Sequence, residues 1–161
     1  MLWRLTRSQF EQQKGIDNRR ALQRLVSRGK EPGILAYVGD TVAGWCAIAP
    51  RKEYVALERS RVMRRLDATA VWSVTCFYVS PPFRRRHLSV QLLEAAVRFA
   101  RRRGARVVEG YPIITKRTDY PPAVASVGFA GTFARAGFRI VAQPSPSRLV
   151  MRQLRGRLRQ M

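Results

Sequence analysis

The sequence predicts one α/β domain over residues 1–161, with a mixed, mostly antiparallel central sheet, helices on both faces and a basic tail at 152–161. Two observations support this fold class. Helix-like and strand-like segments follow the order α–α–β–β–β–α–β–α–β–β. Short turns join most neighbouring strands, whereas one long helix joins two apolar strands near the middle, as in a parallel crossover.

The size and composition of the chain indicate a packed protein. It has 161 residues and a mass of 18.4 kDa, and a chain of that length buries roughly two-thirds of its unfolded surface. Hydrophobic residues make up 46 % of the sequence, which argues against a disordered chain. No apolar run reaches the roughly 18 residues that span a bilayer, and the start MLWRLTRSQFEQQ lacks the apolar stretch of a secretory signal. We therefore expect a cytoplasmic protein without membrane insertion.

The first half is predicted to contain two helices and a β-hairpin. Residues 7–28 show helical patterns in two pieces. Strand-like runs at 34–38 and 41–49 flank Gly39-Asp40, a dipeptide typical of a tight hairpin turn. Residues 51–66 are expected to form a helix or irregular helical turns on the surface.

The second half is predicted to contain the crossover. The run at 70–79 is the most apolar strand pattern and is rich in β-branched and aromatic residues, as a central strand should be. An amphipathic helix follows at about 86–103, with apolar residues at helical spacing. A strand, a loop, a short helix and two strands are then predicted at 105–113, 113–126, 131–137, 138–143 and 145–154.

The chain is strongly basic. It has 31 basic and 10 acidic residues, a net charge of +21, and 27 of the basic residues are arginine. Such a surface attracts polyanions, including nucleic acid, anionic lipid and phosphorylated cofactors. Arginine enrichment also follows from codon usage without chemical meaning, so the charge as a whole names no partner.

The potential metal ligands are few. Cys46 and Cys76 lie in apolar strand-like runs, so we expect buried reduced thiols rather than a disulfide. His87 is the only histidine. A zinc site takes about four nitrogen or sulfur ligands, and we therefore predict no metal site.

The turn between the central strand and the long helix carries the strongest functional signal. After Pro81-Pro82, the residues Arg84, Arg85 and Arg86 precede the helix. The first N–H groups of a helix lack intrahelical acceptors and carry partial positive charge, which suits a phosphate. Guanidinium groups add bidentate donors, so the cluster predicts a phosphate or pyrophosphate site. Without an anion, the same arginines would be solvated loop residues.

With this turn, the chain resembles the GNAT superfamily of acyl-CoA-dependent N-acyltransferases. The family signature V-x-P-x-x-R-x-x-G-x-G/A is similar to VSPPFRRRHLS at 79–89, and an apolar helix follows. AYVGDTVAGWCAIAP resembles the family's second and third strands, and FARAGFRIV resembles its closing helix and strand. The resemblance covers about 33–151 and implies the GNAT fold. Relatives begin with a further strand and helix, so we expect a sheet that lacks its first strand or replaces it partly with 1–5.

The resemblance implies that acetyl-CoA is the co-substrate and an amine the acceptor. The coenzyme would lie across the open end of the strand at 76–79, with its pantetheine arm paired to the backbone of Phe77 and Val79. Backbone amides from Arg84 onward would hold the pyrophosphate. The expected coenzyme-binding residues are Phe77, Tyr78, Val79, Arg84, Arg85, Arg86, His87, Leu88 and Ser89.

The sequence departs from the family pattern at three points. His87 and Ser89 stand where the signature has glycines, which permit close backbone approach to a phosphate. We interpret His87 as a phosphate contact or a solvated side chain rather than a catalytic base. Phe133 stands where relatives often have a general-acid tyrosine, and it cannot donate a proton. The strand at 72–79 has no carboxylate, although many relatives keep a glutamate there.

Glu109 and Tyr111 are the candidate general base and general acid. Glu109 lies at the end of the strand predicted at 105–113, beside the coenzyme end of the preceding strand. Tyr111 lies two residues further on and shares its face if the strand continues. The alternatives are an ion pair between Glu109 and an arginine, and a packed aromatic role for Tyr111. Cys76 as an acyl-carrying nucleophile is the less favoured route. Tyr54 and Tyr120 are further residues that could line an acceptor cleft.

Three functions remain open from the sequence. The first is acetylation of a primary amine on a small molecule or a protein. The second is acetylation of an RNA-borne amine such as aminoacyl-tRNA, which the charge favours. The third is a module that binds acyl-CoA or nucleic acid without turnover, which the departures favour. The oligomeric state stays open, and a homodimer is one alternative.

Overall fold

A computed structural model describes residues 1–114 and 126–154, and the predicted loop at 113–126 and tail at 152–161 lie largely outside them. Within the described residues, six strands form one sheet in the order β1-β2-β3-β4-β6-β5. The strands are β1 Gly33–Val38, β2 Thr41–Pro50, β3 Val71–Val79, β4 Val107–Gly110, β5 Arg139–Ser145 and β6 Arg148–Leu154. The helices are α1 Arg7–Gln12, α2 Ile16–Ser27, α3 Val55–Glu58, α4 Leu88–Arg102 and α5 Ala130–Arg135, with short 3₁₀ turns at Arg51–Glu53 and Pro81–Phe83.

The strand pairing confirms the predicted mixed, mostly antiparallel sheet. All described pairs are antiparallel except β3 with β4, which α4 connects as a crossover. The parallel pairing runs from Val71 with Val107 to Val74 with Gly110. Because β4 ends there, β3 continues to Val79 without a β4 partner, and the two strands leave a gap.

The two faces of the sheet carry separate cores. On one face, α4 packs against β1, β2 and β3, because its apolar stripe meets the inward side chains of those strands. The opposite face carries a second cluster that includes Ala49, Tyr54, Leu57 and Tyr111. The helices therefore cover both faces, as predicted. Among the described helices, none has the length and apolar character needed to cross a bilayer.

Two local expectations differ from the structure. Arg51, at the start of the segment expected on the surface, is only 2 % exposed, because its guanidinium is enclosed by polar partners described below. The long helix begins at Leu88 rather than residue 86, because Arg85 and His87 adopt positive φ angles of 60° and 58° that no helix accommodates. Residues 1–5 form turns and no strand.

Candidate functional site

The loop between β3 and α4 is shaped by left-handed backbone at two residues. Arg85 and His87 are the two described non-glycine residues with positive φ, and Arg86 between them does not share it. Each such conformation costs about 1–2 kcal/mol for a residue with a side chain. Alternating conformations of this kind turn successive N–H groups toward one point and form an anion-binding concavity.

The backbone N–H groups of this loop are available to a ligand. Those of residues 85–89 donate no hydrogen bond within the described part of the chain, because the first helical bond there runs from Val90 to the His87 carbonyl at 3.0 Å. The side chains of Arg84 to His87 are exposed, and Leu88 and Ser89 are half-buried. The residues at the signature positions therefore offer a solvent-facing row of donors, even though His87 and Ser89 replace glycines.

Two of the backbone groups expected to face the pantetheine arm have partners inside the protein. The Phe77 N–H donates to the Ser126 carbonyl at 2.5 Å, so residue 126 occupies the gap beyond β4. The Nε of Arg84 donates to the Val79 carbonyl at 3.0 Å. Tyr78 is 55 % exposed beside them. Coenzyme binding by these residues stays a prediction, and pairing at Phe77 requires Ser126 to move.

Phe133, at the family's tyrosine position, is a core residue. It is fully buried, and its ring makes edge-to-face contacts with Phe77 and Phe138 at centroid distances of 5.8 and 5.1 Å. Gly110 makes room for it, because a Cβ atom there would lie 2.0 Å from the Phe133 ring. The ring packs against Gly110 at the end of β4 and has no acidic proton to donate to a leaving thiolate.

Glu109 and Tyr111 come together, as their spacing predicts, in a set of residues that we call the Glu109 network. The Tyr111 hydroxyl donates to Glu109 Oε1 at 2.6 Å, and the Ser73 hydroxyl lies 2.8 Å from the same oxygen of Tyr111. Arg51 Nη1 donates to Glu109 Oε1 at 3.1 Å and to the Tyr111 hydroxyl at 2.8 Å. Arg152 Nε donates to Glu109 Oε2 at 2.7 Å.

The charges of this region cancel once Arg65 is counted, which pairs with Glu58 at 2.7 Å. The Arg51 and Arg152 guanidinium groups also pair with Glu58 at 2.7 Å and Asp67 at 2.6 Å. Arg51 further donates to two main-chain carbonyls, at 3.3 and 2.5 Å. Burial, followed by the charge of Glu109, raises the pKa of Tyr111 well above its ordinary value, so the phenol stays neutral.

This geometry argues for a structural role of Glu109 and Tyr111 over the predicted catalytic one. Both side chains are 2 % exposed, and every oxygen they carry already has a protein partner. A general base needs an accessible lone pair within reach of the substrate. The alternative of an ion pair fits Glu109 better, and the catalytic roles stay predictions.

A cavity on the same face of the sheet is lined by residues whose buried polar atoms lack hydrogen-bond partners, in contrast to the Glu109 network. It has a volume of about 100 Å³ and is lined by Arg4, Leu22, Trp45, Tyr54, Thr75 and Cys76, among others. We call it the Arg4 cavity. Four buried side-chain polar atoms of the described chain have no hydrogen-bond partner, and three of them belong to Arg4, Tyr54 and Thr75.

The backbone explains why Thr75 reaches this cavity. Ala47 pairs with Cys76, whereas the next residue, Ile48, pairs with Val74. Thr75 is thus the extra residue of a β-bulge, a feature that redirects side chains.

The Tyr54 phenol and the Cys76 thiol of the cavity are neutral near pH 7, and burial lowers the pKa of the Met1 amino group that lines the cavity with them. Burial raises the pKa of Tyr54 to about 12, against the opposing charge of Arg4. Burial also raises the pKa of the Cys76 thiol. A neutral thiol is a poor nucleophile, which argues against an acyl-carrying Cys76. The sequence analysis named Tyr54 as a residue that could line an acceptor cleft, which stays a prediction, and it did not single out Arg4 or Thr75.

The fold and the loop together define an α/β protein with a split parallel strand pair and a turn of unpaired N–H groups at the head of the crossover helix. The sequence profile described as "Acetyltransferase (GNAT) family" matches residues 1–112. The chain belongs to this family. No curated protein sequence matches the chain significantly.

Solved structures share the fold at low sequence identity. A GNAT-family acetyltransferase from Desulfovibrio desulfuricans is 17 % identical, with a TM-score of 0.55 over 84 % of this chain and 77 % of that one. The ribosomal-protein-alanine N-acetyltransferase from Brucella melitensis is 18 % identical, with a TM-score of 0.54 over 87 % and 78 %. The PaiA N-acetyltransferase from Thermoplasma acidophilum, solved with coenzyme A, is 12 % identical, with a TM-score of 0.54 over 92 % and 77 %.

Proposed function

We propose that the protein transfers an acetyl group from acetyl-CoA to a primary amine by direct attack. The observation that carries the proposal is the row of unpaired N–H groups at residues 85–89, at the head of α4 and beside exposed arginines. Backbone amides and guanidinium groups are the donors that a diphosphate takes. A coenzyme-bound relative of the same fold supports the choice of donor substrate.

The strand geometry suits the rest of the coenzyme. Residues Thr75–Val79 of β3 have no β4 partner, so an extended arm can add to this strand as a main-chain ligand does. Cys76 lies three residues before the strand end, about 10 Å from it at the usual rise per residue. The thioester would then rest beside the Arg4 cavity.

The chemistry needs little from side chains. The neutral amine attacks the thioester carbon, a C–N bond forms, the C–S bond breaks, and the thiolate leaves with the bonding electrons. The surplus amine proton passes to water or to the departing thiolate. A backbone N–H of β3 near Phe77 would stabilise the negative oxygen, once the Phe77 N–H has released Ser126.

Calorimetric titration with CoA and a thiol-release assay with acetyl-CoA test the proposal. The double variant Arg84→Ala/Arg86→Ala should weaken CoA binding roughly 10- to 100-fold, on the scale of charge-assisted hydrogen bonds. Arg24→Ala/Arg28→Ala removes the same charge from exposed positions in and after α2 and is the matched control. Unchanged CoA affinity in the first variant would contradict the diphosphate site, and the proposed function with it.

A second candidate is acetylation of an RNA-borne amine. A groove of about 670 Å³ at the opposite end of β3 is lined by Lys52, Arg65, Arg103, Arg106 and Trp72, among others. Cations around an aromatic ring suit a nucleic acid strand. Binding of tRNA with a steep loss of affinity between low and high salt would support this candidate, because each neutralised phosphate adds to the slope. Binding without a salt dependence would exclude it.

A coenzyme-binding module without turnover is the non-enzymatic alternative, favoured by the buried Phe133 and the absence of a carboxylate in β3. Acetyl-CoA would stabilise such a protein against heat, yet no acceptor would release CoA. Thiol release with any amine acceptor excludes it.

A further inference from the structure

The Arg4 cavity brings together buried polar atoms that the folded chain does not satisfy. The Tyr54 hydroxyl and Thr75 hydroxyl belong to residues that are 1 % and 2 % exposed, and the Arg4 side chain is 9 % exposed. Arg4 Nη2 finds no acceptor within residues 1–114 and 126–154. The Tyr54 and Thr75 hydroxyls make no well-formed hydrogen bond there, although they lie close enough to each other for Thr75 to lower the pKa of Tyr54. Nearly all buried polar atoms of native proteins are paired. Three such atoms in residues that line one cavity therefore point to a ligand.

The kind of ligand follows from what these atoms can do. A guanidinium nitrogen only donates, and each hydroxyl can donate, so the set offers at least three donors to one space. A carbonyl oxygen accepts about two hydrogen bonds, whereas a carboxylate accepts about four. The carboxylate is also the group whose planar geometry a guanidinium matches.

The charge around the cavity suits a single negative charge. Arg4 already pairs through Nη1 with Glu53 Oε2 at 2.6 Å, and its guanidinium lies 4.8 Å from the centre of the Tyr54 ring. The Met1 amino group also lines the cavity, and burial lowers its pKa, so it adds at most one positive charge. A single carboxylate compensates that charge, whereas a phosphate dianion would keep uncompensated charge in the cavity.

The size of the cavity limits the rest of the molecule. Its volume of about 100 Å³ equals that of about three water molecules. Leu22, Trp45 and Ala47 supply apolar walls. Within the cavity there is space for a carboxylate and one or two carbon atoms.

We propose that the Arg4 cavity binds the carboxylate of a small amino acid, of the size of glycine or alanine, whose amino group is the acceptor of the acetyl group. This inference rests on the proposed acetyl transfer, because Cys76 places the cavity beside the predicted thioester position. Arg4 anchors the carboxylate, and Tyr54 and Thr75 donate to its oxygens.

Kinetics with matched amines test the proposal. Thiol release from acetyl-CoA is measured with glycine, glycinamide and ethylamine, which share an amine on a short chain and differ in the carboxylate. We expect the kcat/KM of glycine to exceed that of both neutral amines by at least about tenfold, the value of one charge-assisted hydrogen bond. Equal rates, or faster transfer to ethylamine, would overturn the proposal.

Variants assign the preference to the cavity. Tyr54→Phe and Thr75→Val remove one hydroxyl each while keeping the shape, and each should lower the preference for glycine about tenfold. Arg4→Met should abolish it. Because the two hydroxyls have no close partner except each other, those two variants are expected to fold even if Arg4→Met does not. Ser60→Ala, a hydroxyl removal at a residue that does not line the cavity, should keep the preference. A preference that survives both hydroxyl variants would contradict the assignment.

Binding without turnover separates this inference from the proposed function. Saturation-transfer NMR compares glycine, glycinamide and inorganic phosphate on the protein with CoA present. Selective binding of glycine supports the cavity assignment even where no thiol is released, and that combination would contradict only the acetyl transfer. Thiol release with ethylamine together with no glycine signal would contradict only the carboxylate site. Competition of phosphate with glycine at equal concentration would also overturn it.

Discussion

The Glu109 network and the Arg4 cavity lie on the same face of the sheet, and both place an arginine and a tyrosine out of solvent. Arg51 and Tyr111 meet within 2.8 Å and share a carboxylate. Arg4 stacks over Tyr54, yet one of its nitrogens and the Tyr54 hydroxyl have no partner in the described chain. A satisfied network holds a structure together, whereas unsatisfied groups of the same chemistry indicate where another molecule binds.

The largest effect should come from the centre of the network. Glu109→Gln leaves the Arg51 and Arg152 charges buried without their common carboxylate, which costs about 3–5 kcal/mol of unfolding free energy. Urea denaturation measures it, with the exposed Glu11→Gln as control, for which we expect a change within about 0.5 kcal/mol. A Glu109→Gln variant of native stability that had lost thiol release would instead restore the predicted general base.

The next largest effect is a fall in the free energy of unfolding at alkaline pH. The pKa of Tyr54 is raised to about 12 by burial, and that of Tyr111 is raised further, from an ordinary value of about 10. The folded state thus favours the neutral phenols, and their contribution is complete below pH 10 and declines as the pH rises through 12. Urea unfolding at pH 8 to 12 should show a fall of about 2–3 kcal/mol for Tyr54 alone. Tyr54→Phe should remove that part of the fall, and an unchanged profile would contradict the buried phenol.

A smaller effect is the difference in stability loss between the Tyr111→Phe and Tyr54→Phe variants. Tyr111→Phe breaks hydrogen bonds with Arg51, Ser73 and Glu109 and should cost about 1–3 kcal/mol. Tyr54→Phe removes a hydroxyl whose one neighbour is the Thr75 hydroxyl, without a well-formed hydrogen bond, and should change stability by less than about 0.5 kcal/mol, or increase it. Chemical denaturation of both variants on one day and in one buffer gives the difference. Equal losses would mean that the Tyr54 hydroxyl has a partner inside the fold.

The sequence predicted the elements better than the polar centres, and the reason is the range of the interactions involved. The hairpin at Gly39-Asp40, the apolar strand β3 and the crossover helix α4 follow from turn residues and from periodicity, which are local signals. The partners of Glu109 are 58 and 43 residues away along the chain, in Arg51 and Arg152. No local pattern shows such pairings.

The sequence predicted one part of the candidate site and not the other. The arginine-rich turn at 84–86 could be found because strand, turn and helix are consecutive. Arg4 and Thr75 could not, because one belongs to a turn before α1 and the other to a bulge that no periodicity reveals. Nothing in the local sequence shows that an arginine directly after β2 is buried, because its partners are distant along the chain. Arg51 was therefore expected on the surface.

The most direct test of the difference between the two regions is the stability of the wild type and of Tyr54→Phe/Thr75→Val, each with and without glycine in the presence of CoA. Without glycine, the double variant should be as stable as the wild type. At ten times its dissociation constant, glycine should stabilise the wild type by roughly 1.4 kcal/mol and the double variant by far less. A double variant that is much less stable without glycine, together with a wild type that gains nothing from it, would show that these hydroxyls serve the fold and that the cavity holds no carboxylate.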